Sequence, residues 1–536
     1  MAASAQLELF HSRHIRELRS VQLCSDPNNL RAPSDGPRAG FFPGGGDMTD
    51  RRPGFRGFPG WVWALVAVAA ARALLLPAFE LVPQEAYYAF YARSPALSYF
   101  DHPPLLAWAL AGALRVAGHH PLAVRAVPFL LTLGTQGAFV ALARRFEPAG
   151  VGRAALLFST TGAVTVLSLV ALPDAPLVLA WSLALVALGR ALFEAGRVSW
   201  VLAGLFFGLA FDSKYTGAAL PVGLLAFLVL SPAHRRLLGT PWPWVTIAVA
   251  QLVALPVYVW NAQHGWASFV FQTAGRAGTA AGPGLRHLAG LAVTQAVLLL
   301  PPLFAAVVVC VWRGLFGLLR RALGPEELFL AAFSVPLLVP GVLLSTVLLV
   351  KPNWLLPAYV TAILWVARSS GARLLRWNLW SSLVVHVLFV VELLVYPVAL
   401  RSDDTWVGWR ALAAELRTRV RPGEFVFSAD DYKTTAELLF YSDLEVHGRN
   451  LLGERALQYD YDGVDPRRLV GRDALFVDSA PDDPELRAAG SAPPERLGRA
   501  CRRVEAERPI LIRRGDRVVR AFRVWRCVDY RGPPGR

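Results

Sequence analysis

The sequence predicts a mainly α-helical, polytopic transmembrane bundle of about 11 spans, followed by a small soluble C-terminal domain of α/β or α+β type. Three observations carry this expectation. Hydrophobic residues make up 54% of the 536 and charged residues 17%, with a mean hydropathy of +0.41, which leaves too little polar surface to cover a soluble globule. The long apolar runs stop near residue 400, after which Arg, Asp and Glu become dense. Between the runs, Arg residues cluster at every second turn, as expected when those turns face the cytoplasm.

In chain order, residues 1–56 are polar and rich in Gly and Pro, and read as a disordered cytoplasmic tail, with Met48 as an alternative start. Residues 57–400 hold the spans, near 61–80, 121–143, 150–172, 174–193, 199–211, 216–231, 243–260, 287–312, 327–349, 354–368 and 377–400. Arg144/Arg145, Arg190/Arg197, Arg235/Arg236, Arg313/Arg320/Arg321 and Arg368/Arg373/Arg376 mark the cytoplasmic turns. The first outer loop, 81–120, contains two amphipathic stretches, Ala86–Ala92 and Pro104–Ala117, too short to span and suited to lie on the membrane. Residues 401–536 form the C-terminal domain, placed outside, with strand-like stretches at Glu424–Ser428 and Ala474–Asp478. Cys501 and Cys527 share that domain and are free to form a disulfide if it lies outside the cytoplasm.

The net charge of +15 is spread between apolar runs and through the C-terminal part, with no basic stripe interleaved with aromatics, so nucleic acid is not an expected partner. No phosphate-cradling glycine loop, nucleophile elbow or metal-ligand spacing is present, which argues against ATP-driven chemistry.

The unusual polar residues collect on the turns assigned to the outer face. Glu85, with Tyr87 and Tyr88, and Asp101, with His102, share the first outer loop; a carboxylate at the membrane surface is partly desolvated, which raises its pKa toward that of a general base. Asp101 also reads as a cap for the helix that begins at Pro103-Pro104. Asp174 lies in the tight Leu172-Pro-Asp-Ala-Pro176 turn and reads equally as a cap or as part of a site. Lys214, beside Tyr215, and Lys351, beside Asn353, are cations between apolar runs on the same face, suited to a phosphate. Asn261 and His264, in Trp-Asn-Ala-Gln-His-Gly-Trp266, can hydrogen-bond a sugar or phosphate.

Taken in this order, Glu-Ala-Tyr-Tyr88, Tyr-Phe-Asp-His-Pro-Pro-Leu105, Leu-Pro-Asp-Ala-Pro-Leu177, Ser-Lys-Tyr-Thr216, Trp-Asn-Ala-Gln-His-Gly-Trp266 and Lys-Pro-Asn-Trp354 resemble the GT-C superfamily of membrane glycosyltransferases. The similarity is to the bacterial branch related to protein O-mannosyltransferases and to the lipid A aminoarabinose and galacturonic acid transferases. It implies a GT-C fold over about 57–400 and direct displacement of a sugar from a polyprenyl-phosphate donor onto a glycan, lipid or protein acceptor. The family pattern places an acidic base in the first outer loop, often as an Asp-Glu pair; Gln84-Glu85 stands here, which leaves Glu85 or Asp101 as the catalytic base. Tyr87, Tyr88, His102, Asp174, Lys214, Tyr215, Asn261, His264, Lys351 and Asn353 are then the substrate-binding set. Charge on the departing lipid phosphate falls to Lys214 and Lys351, and the resemblance leaves room for Mg²⁺ to share that work although no ligand set demands it. The expected location is the bacterial inner membrane, with the C-terminal domain periplasmic. A lipid-linked sugar flippase is the alternative, for which charges at mid-span and inverted repeats are expected.

Overall fold

A computed structural model describes residues 58–275, 284–400, 402–480 and 492–534. The predicted tail, 1–56, and Met48 lie outside the described residues.

The bundle is built on helices with apolar side chains around most of their circumference, the pattern of segments that pack on one side and meet lipid on the other. Among the described residues, five helices are long and apolar enough to cross a membrane: Pro121–Phe146, Asp174–Phe193, Pro301–Leu319, Pro325–Leu344 and Ala372–Val395. Two pairs bent by 63° and 49°, Pro148–Ser159 with Gly162–Leu169 and Trp242–Val253 with Leu255–Gln263, raise the number to as many as seven. Shorter apolar helices occupy Gly60–Leu75, Tyr215–Leu230 and Leu285–Leu299. The structure thus establishes a multi-helix membrane bundle and not a count of eleven.

The bends have local causes. Thr161 caps the second half of the first pair, its hydroxyl accepting from the Val164 N–H at 3.3 Å, so the helix restarts there in a new direction. The expected single run 287–312 is two helices. Leu300, at φ +72°, stands before Pro301-Pro302, whose rings cannot continue the preceding helix.

Asp174–Phe193 and Leu356–Ser369 run through the core, while Ala372–Val395 stands at the edge with Leu383, Val384, Val387 and Leu388 more than half exposed, an apolar face that only lipid satisfies. Arg197–Ser213 approaches Trp242–Val253 closely because Gly204 and Gly208 lie one turn apart on the facing side. A Cβ at either would sit 2.6 Å from the Thr246 carbonyl or 2.8 Å from that of Ala250.

The C-terminal part carries a six-stranded mixed sheet: β1 (Phe425–Ser428), β2 (Val446–His447), β3 (Ala474–Ser479), β4 (Cys501–Ala506), β5 (Ile510–Arg514) and β6 (Arg517–Tyr530). The order is β2-β1-β3-β6-β4, parallel across the first three and antiparallel beyond, with β5 also paired to β6. The two stretches read from sequence are β1 and β3, buried on both faces as a central strand must be. Cys501 and Cys527 are disulfide-bonded across β4 and β6, with Cα atoms 5.5 Å apart.

This sheet domain sits on the 81–120 loop. Its helix Lys433–Tyr441 packs against the loop helix Pro83–Tyr91, and hydrogen bonds stitch the domain to the loop. The Tyr441 hydroxyl accepts from the Leu81 N–H (2.8 Å), Glu80 from the Trp409 N–H (2.7 Å), the Tyr87 hydroxyl from the Gln458 N–H (3.0 Å), and Gln458 Oε1 from the Phe100 N–H (2.7 Å).

Candidate active site

A cavity of about 990 Å³ opens where the loop helix, the N-terminus of Asp174–Phe193, the end of Arg197–Ser213, the turn Pro352–Leu355 and the sheet domain meet. Of the residues expected from sequence, Tyr87, Tyr88, Asp101, His102, Asp174, Lys214, Tyr215, Lys351 and Asn353 line it. Motifs separated by up to 267 positions along the chain are therefore parts of one wall, counted from Gln84 to Lys351.

Asp174 is the knot of this wall. Its carboxylate accepts from Lys214 Nζ at 2.9 and 3.1 Å and from Asn353 Nδ2 at 2.8 Å, and it is 1% exposed. Asp174 is the first residue of its helix, with Pro173 at the cap position, and its carboxylate tethers three motifs. Lys214, expected to meet a phosphate, lines the cavity at 6% exposure and is bound to that carboxylate in a buried ion pair. Lys351 is exposed on the same wall.

Asp101 is 9% exposed, and its carboxylate accepts from the hydroxyls of Tyr91 and, at 3.5 Å, Tyr87. Its backbone carbonyl accepts from Gln272 Nε2 at 2.6 Å, which fixes the loop. The Tyr88 and His102 rings lie 5.6 Å apart beside it, and the Tyr215 hydroxyl is held by Ser268 at 2.6 Å.

Three expected residues lie elsewhere. Glu85 is fully buried behind the wall. Its Oε2 accepts from Arg125 Nη2 at 2.9 Å and from the Val82 N–H at 3.1 Å, and its Oε1 from Arg125 Nε at 3.3 Å and the Ala171 N–H at 3.1 Å. Every lone-pair direction of the carboxylate is in use, and none faces the cavity. Asn261 is fully buried and organises its own loop, donating to the Val257 carbonyl and accepting from the Phe269 N–H. His264 stacks on Trp260, ring centroids 4.1 Å apart, outside the cavity lining.

Sequence reasoning expected the C-terminal domain to help receive or orient the acceptor but named none of its residues. Asp404, Asp431, Tyr432 and Arg449 also line the cavity, with Arg449 2.6 Å from Asp431 and the Tyr432 ring stacked on Tyr87 at 4.6 Å. Burial, and the nearby carboxylates of Asp404, Asp101 and Asp431, push the Tyr432 hydroxyl well above the usual range, so it remains a protonated donor. Arg125, also missed, carried a signal: it is a lone cation at the head of an apolar run. Among the described residues no group of three or more His, Cys, Asp or Glu side chains forms a metal-holding set, so no step is routed through Mg²⁺.

Beside the cavity lies an apolar groove of about 620 Å³, lined by Leu288, Leu291, Val307, Trp312, Val342 and Leu355 among others. Gln295 joins the two: it lines the groove, donates to the cavity-lining Pro352 carbonyl at 2.9 Å and accepts from the Tyr359 hydroxyl at 2.8 Å.

Residues 101–260 match the family model for dolichyl-phosphate-mannose-protein mannosyltransferase. The chain is 23% identical over 418 residues to the lipid A galacturonosyltransferase RgtD of Rhizobium johnstonii, covering 75% of this chain and 87% of that protein. Its fold is that of ArnT from Cupriavidus metallidurans. The apo structure matches with a TM-score of 0.61 at 16% identity over 87% of this chain and 98% of that one. The chain is thus similar to membrane glycosyltransferases in sequence over residues 101–260 and in fold over most of its length. The undecaprenyl-phosphate-bound ArnT structure matches this chain as well, with a TM-score of 0.59 at 17% identity over 89% and 100% of the two chains.

Proposed function

We propose that this glycosyltransferase moves a sugar from a polyprenyl-phosphate donor to a hydroxyl of a glycan, lipid or protein acceptor at the outer face of the bacterial cytoplasmic membrane. The observation that carries the reading is the adjacency of a polar cavity and an apolar groove, bridged at Gln295. Such a pair fits a ligand with a charged, hydroxyl-rich head and a hydrocarbon tail. In this reading the tail occupies the groove and the head lies near Lys351 and His102. Undecaprenyl phosphate, bound in the ArnT complex, and lipid A, which RgtD modifies, belong to the same chemical classes.

The chemistry asks for one base and one electrostatic partner. An acceptor hydroxyl attacks the anomeric carbon, its proton passes to a carboxylate, and the bond to the lipid phosphate breaks with charge accumulating on that phosphate. Asp101, on the cavity wall, is the base in this proposal, because Glu85 has no oxygen facing the cavity. Lys351 and His102 meet the phosphate, while the Asp174–Lys214 pair holds the wall in register.

The finer topology belongs to the same proposal: about 11 spans across residues 57–400, a catalytic first outer loop at 81–120, and an extracytoplasmic domain at 401–536. The alternation of Arg-rich turns supports it, and so does the Cys501–Cys527 disulfide, a bond that persists in oxidising compartments. The deciding experiment incubates the purified protein with a labelled polyprenyl-phosphate sugar and envelope glycolipid. Labelled acceptor with release of polyprenyl phosphate supports the reading. Passage of the intact donor across a proteoliposome membrane without any transfer overturns it in favour of a flippase.

A further inference from the structure

Four carboxylates stand on the cavity wall, and their surroundings separate them. Asp174 is bound by Lys214 and Asn353, Asp431 faces Arg449 at 2.6 Å, and Asp101 receives tyrosine hydroxyls. Asp404 is placed differently. It belongs to the segment that joins the last helix of the bundle to the sheet domain, and its side chain is 43% exposed. One oxygen accepts from Gln84 Nε2 and the other from Lys433 Nζ, each at 3.2 Å. A carboxylate oxygen accepts two hydrogen bonds, so each of these retains one acceptor direction beside the open cavity.

Gln84 explains why a carboxylate can stand there. Its amide donates to Asp404, on the same wall as the Tyr432 ring that is stacked on Tyr87. An acidic residue at 84 would set two carboxylates about 3 Å apart, an arrangement in which both do not ionise. The neutral residue at 84, where the sequence departs from an acidic pair, is therefore matched to an acid that arrives from 320 positions downstream.

We infer that Asp404 is a substrate-binding carboxylate of the transfer site, oriented by Gln84, that accepts a hydrogen bond from a hydroxyl of a sugar in the cavity. The inference rests on the glycosyl-transfer reading above and deepens it. The hydroxyl belongs either to the donor sugar or to a glycan acceptor, and the two are told apart by which KM changes.

The test is a four-member cycle in the full-length protein: wild type, Gln84→Glu, Asp404→Asn and the double variant, with melting temperature measured on each. Asp404→Asn is expected to lower kcat/KM by about 10- to 100-fold, the range for losing a hydrogen bond to a charged group. A raised KM for the polyprenyl-phosphate sugar assigns the contact to the donor, and a raised KM for the acceptor assigns it to the acceptor. Gln84→Glu alone is expected to lose activity at pH 8 and regain it toward pH 5, as one proton settles on the pair. The double variant, with carboxylate and amide exchanged, is expected to exceed both singles. Lys433→Gln, which removes the ion pair and keeps the carboxylate, is expected to retain activity within about threefold. Wild-type KM values in Asp404→Asn, or a double variant no better than the product of its singles, overturn the inference while the wild type still transfers. A wild type that transfers nothing overturns the parent reading instead.

Discussion

The guanidinium of Arg125 lies 2.9 Å from the carboxylate of Glu85, and both side chains are wholly buried. Arg125 also donates to the carbonyls of Leu76 (3.0 Å), Phe79 (2.7 Å) and Glu80 (2.6 Å), and stacks over the Phe79 ring. One ion pair thus ties the exit of the Gly60–Leu75 helix to the loop helix and to the backbone at Ala171. The acid that looks like a base in the sequence is a bracket in the structure.

Replacing Glu85 with Gln leaves a buried cation with a neutral partner, and breaking such a pair costs about 3–5 kcal/mol. The expected outcome is lower yield and a lower melting temperature in detergent, with specific activity per folded molecule falling by less than about tenfold. A fully folded, inactive Glu85→Gln protein would return Glu85 to the role of base.

Asp101→Asn removes the proposed proton acceptor and keeps the shape of the side chain. Turnover should fall by about 10²- to 10⁴-fold, the usual contribution of a positioned base. The melting temperature should stay close to wild type, since the Tyr91 and Tyr87 hydroxyls can still donate to the amide oxygen. Single-turnover assays at saturating donor decide this.

Lys214→Met strands the Asp174 carboxylate at 1% exposure, whereas Asp174→Asn with Lys214→Met removes both charges. The single variant should be the less stable of the two by about 3 kcal/mol. Lys351→Met should raise the KM for the lipid-linked donor. Equal melting temperatures for Lys214→Met and the double variant would mean that the pair is not coupled.

Burial pushes the Asp430 carboxyl in the sheet domain up to about 7, in spite of the hydrogen bonds it accepts from Thr434. Unfolded, it ionises near pH 4. Across that window the unfolded chain gives up a proton that the folded chain keeps, so stability falls as pH rises from about 4 to 7 and then levels off, by at most about 4 kcal/mol. Glu437, buried and raised well above its ordinary value, acts in the same direction. Melting curves at pH 5 and pH 8 should show the more stable protein at pH 5, and Asp430→Asn should flatten the difference. An unchanged slope in that variant would remove Asp430 from the account.

Opening the Cys501–Cys527 bond frees a loop of 26 residues, which the chain-entropy model values at about 3–4 kcal/mol. Cys501→Ser, or reductant, should lower the melting temperature of the sheet domain, read by near-ultraviolet dichroism of Trp525 beside it in the same core. No shift on reduction would show that the bond contributes nothing to stability.

The helical bundle was legible because membrane-crossing segments must be continuously apolar, a local property. The breaks were less so: Thr161 and Leu300 interrupt runs whose composition does not change across them. Most of the cavity wall was legible because Asp174, Lys214, Lys351 and Asn353 are polar residues where hydrophobic ones are the rule. What each one touches was not, since Asp174 meets Lys214 only after two helices turn back on each other. The polar residues of the sheet domain gave no warning at all. Asp404, Asp431, Tyr432 and Arg449 sit in a region dense in charge, where nothing local separates a wall residue from a solvated one.

Because Asp431, Tyr432 and Arg449 close the cavity, the bundle by itself is an unfinished enzyme. A ribosome that has inserted every helix through Val395 has still to deliver the polypeptide that completes the wall, and that polypeptide must then fold against the loop helix before donor can be gripped. On the proposed reading, a truncated or stalled chain would keep the apolar groove and lack the closed cavity, and is expected to transfer no sugar.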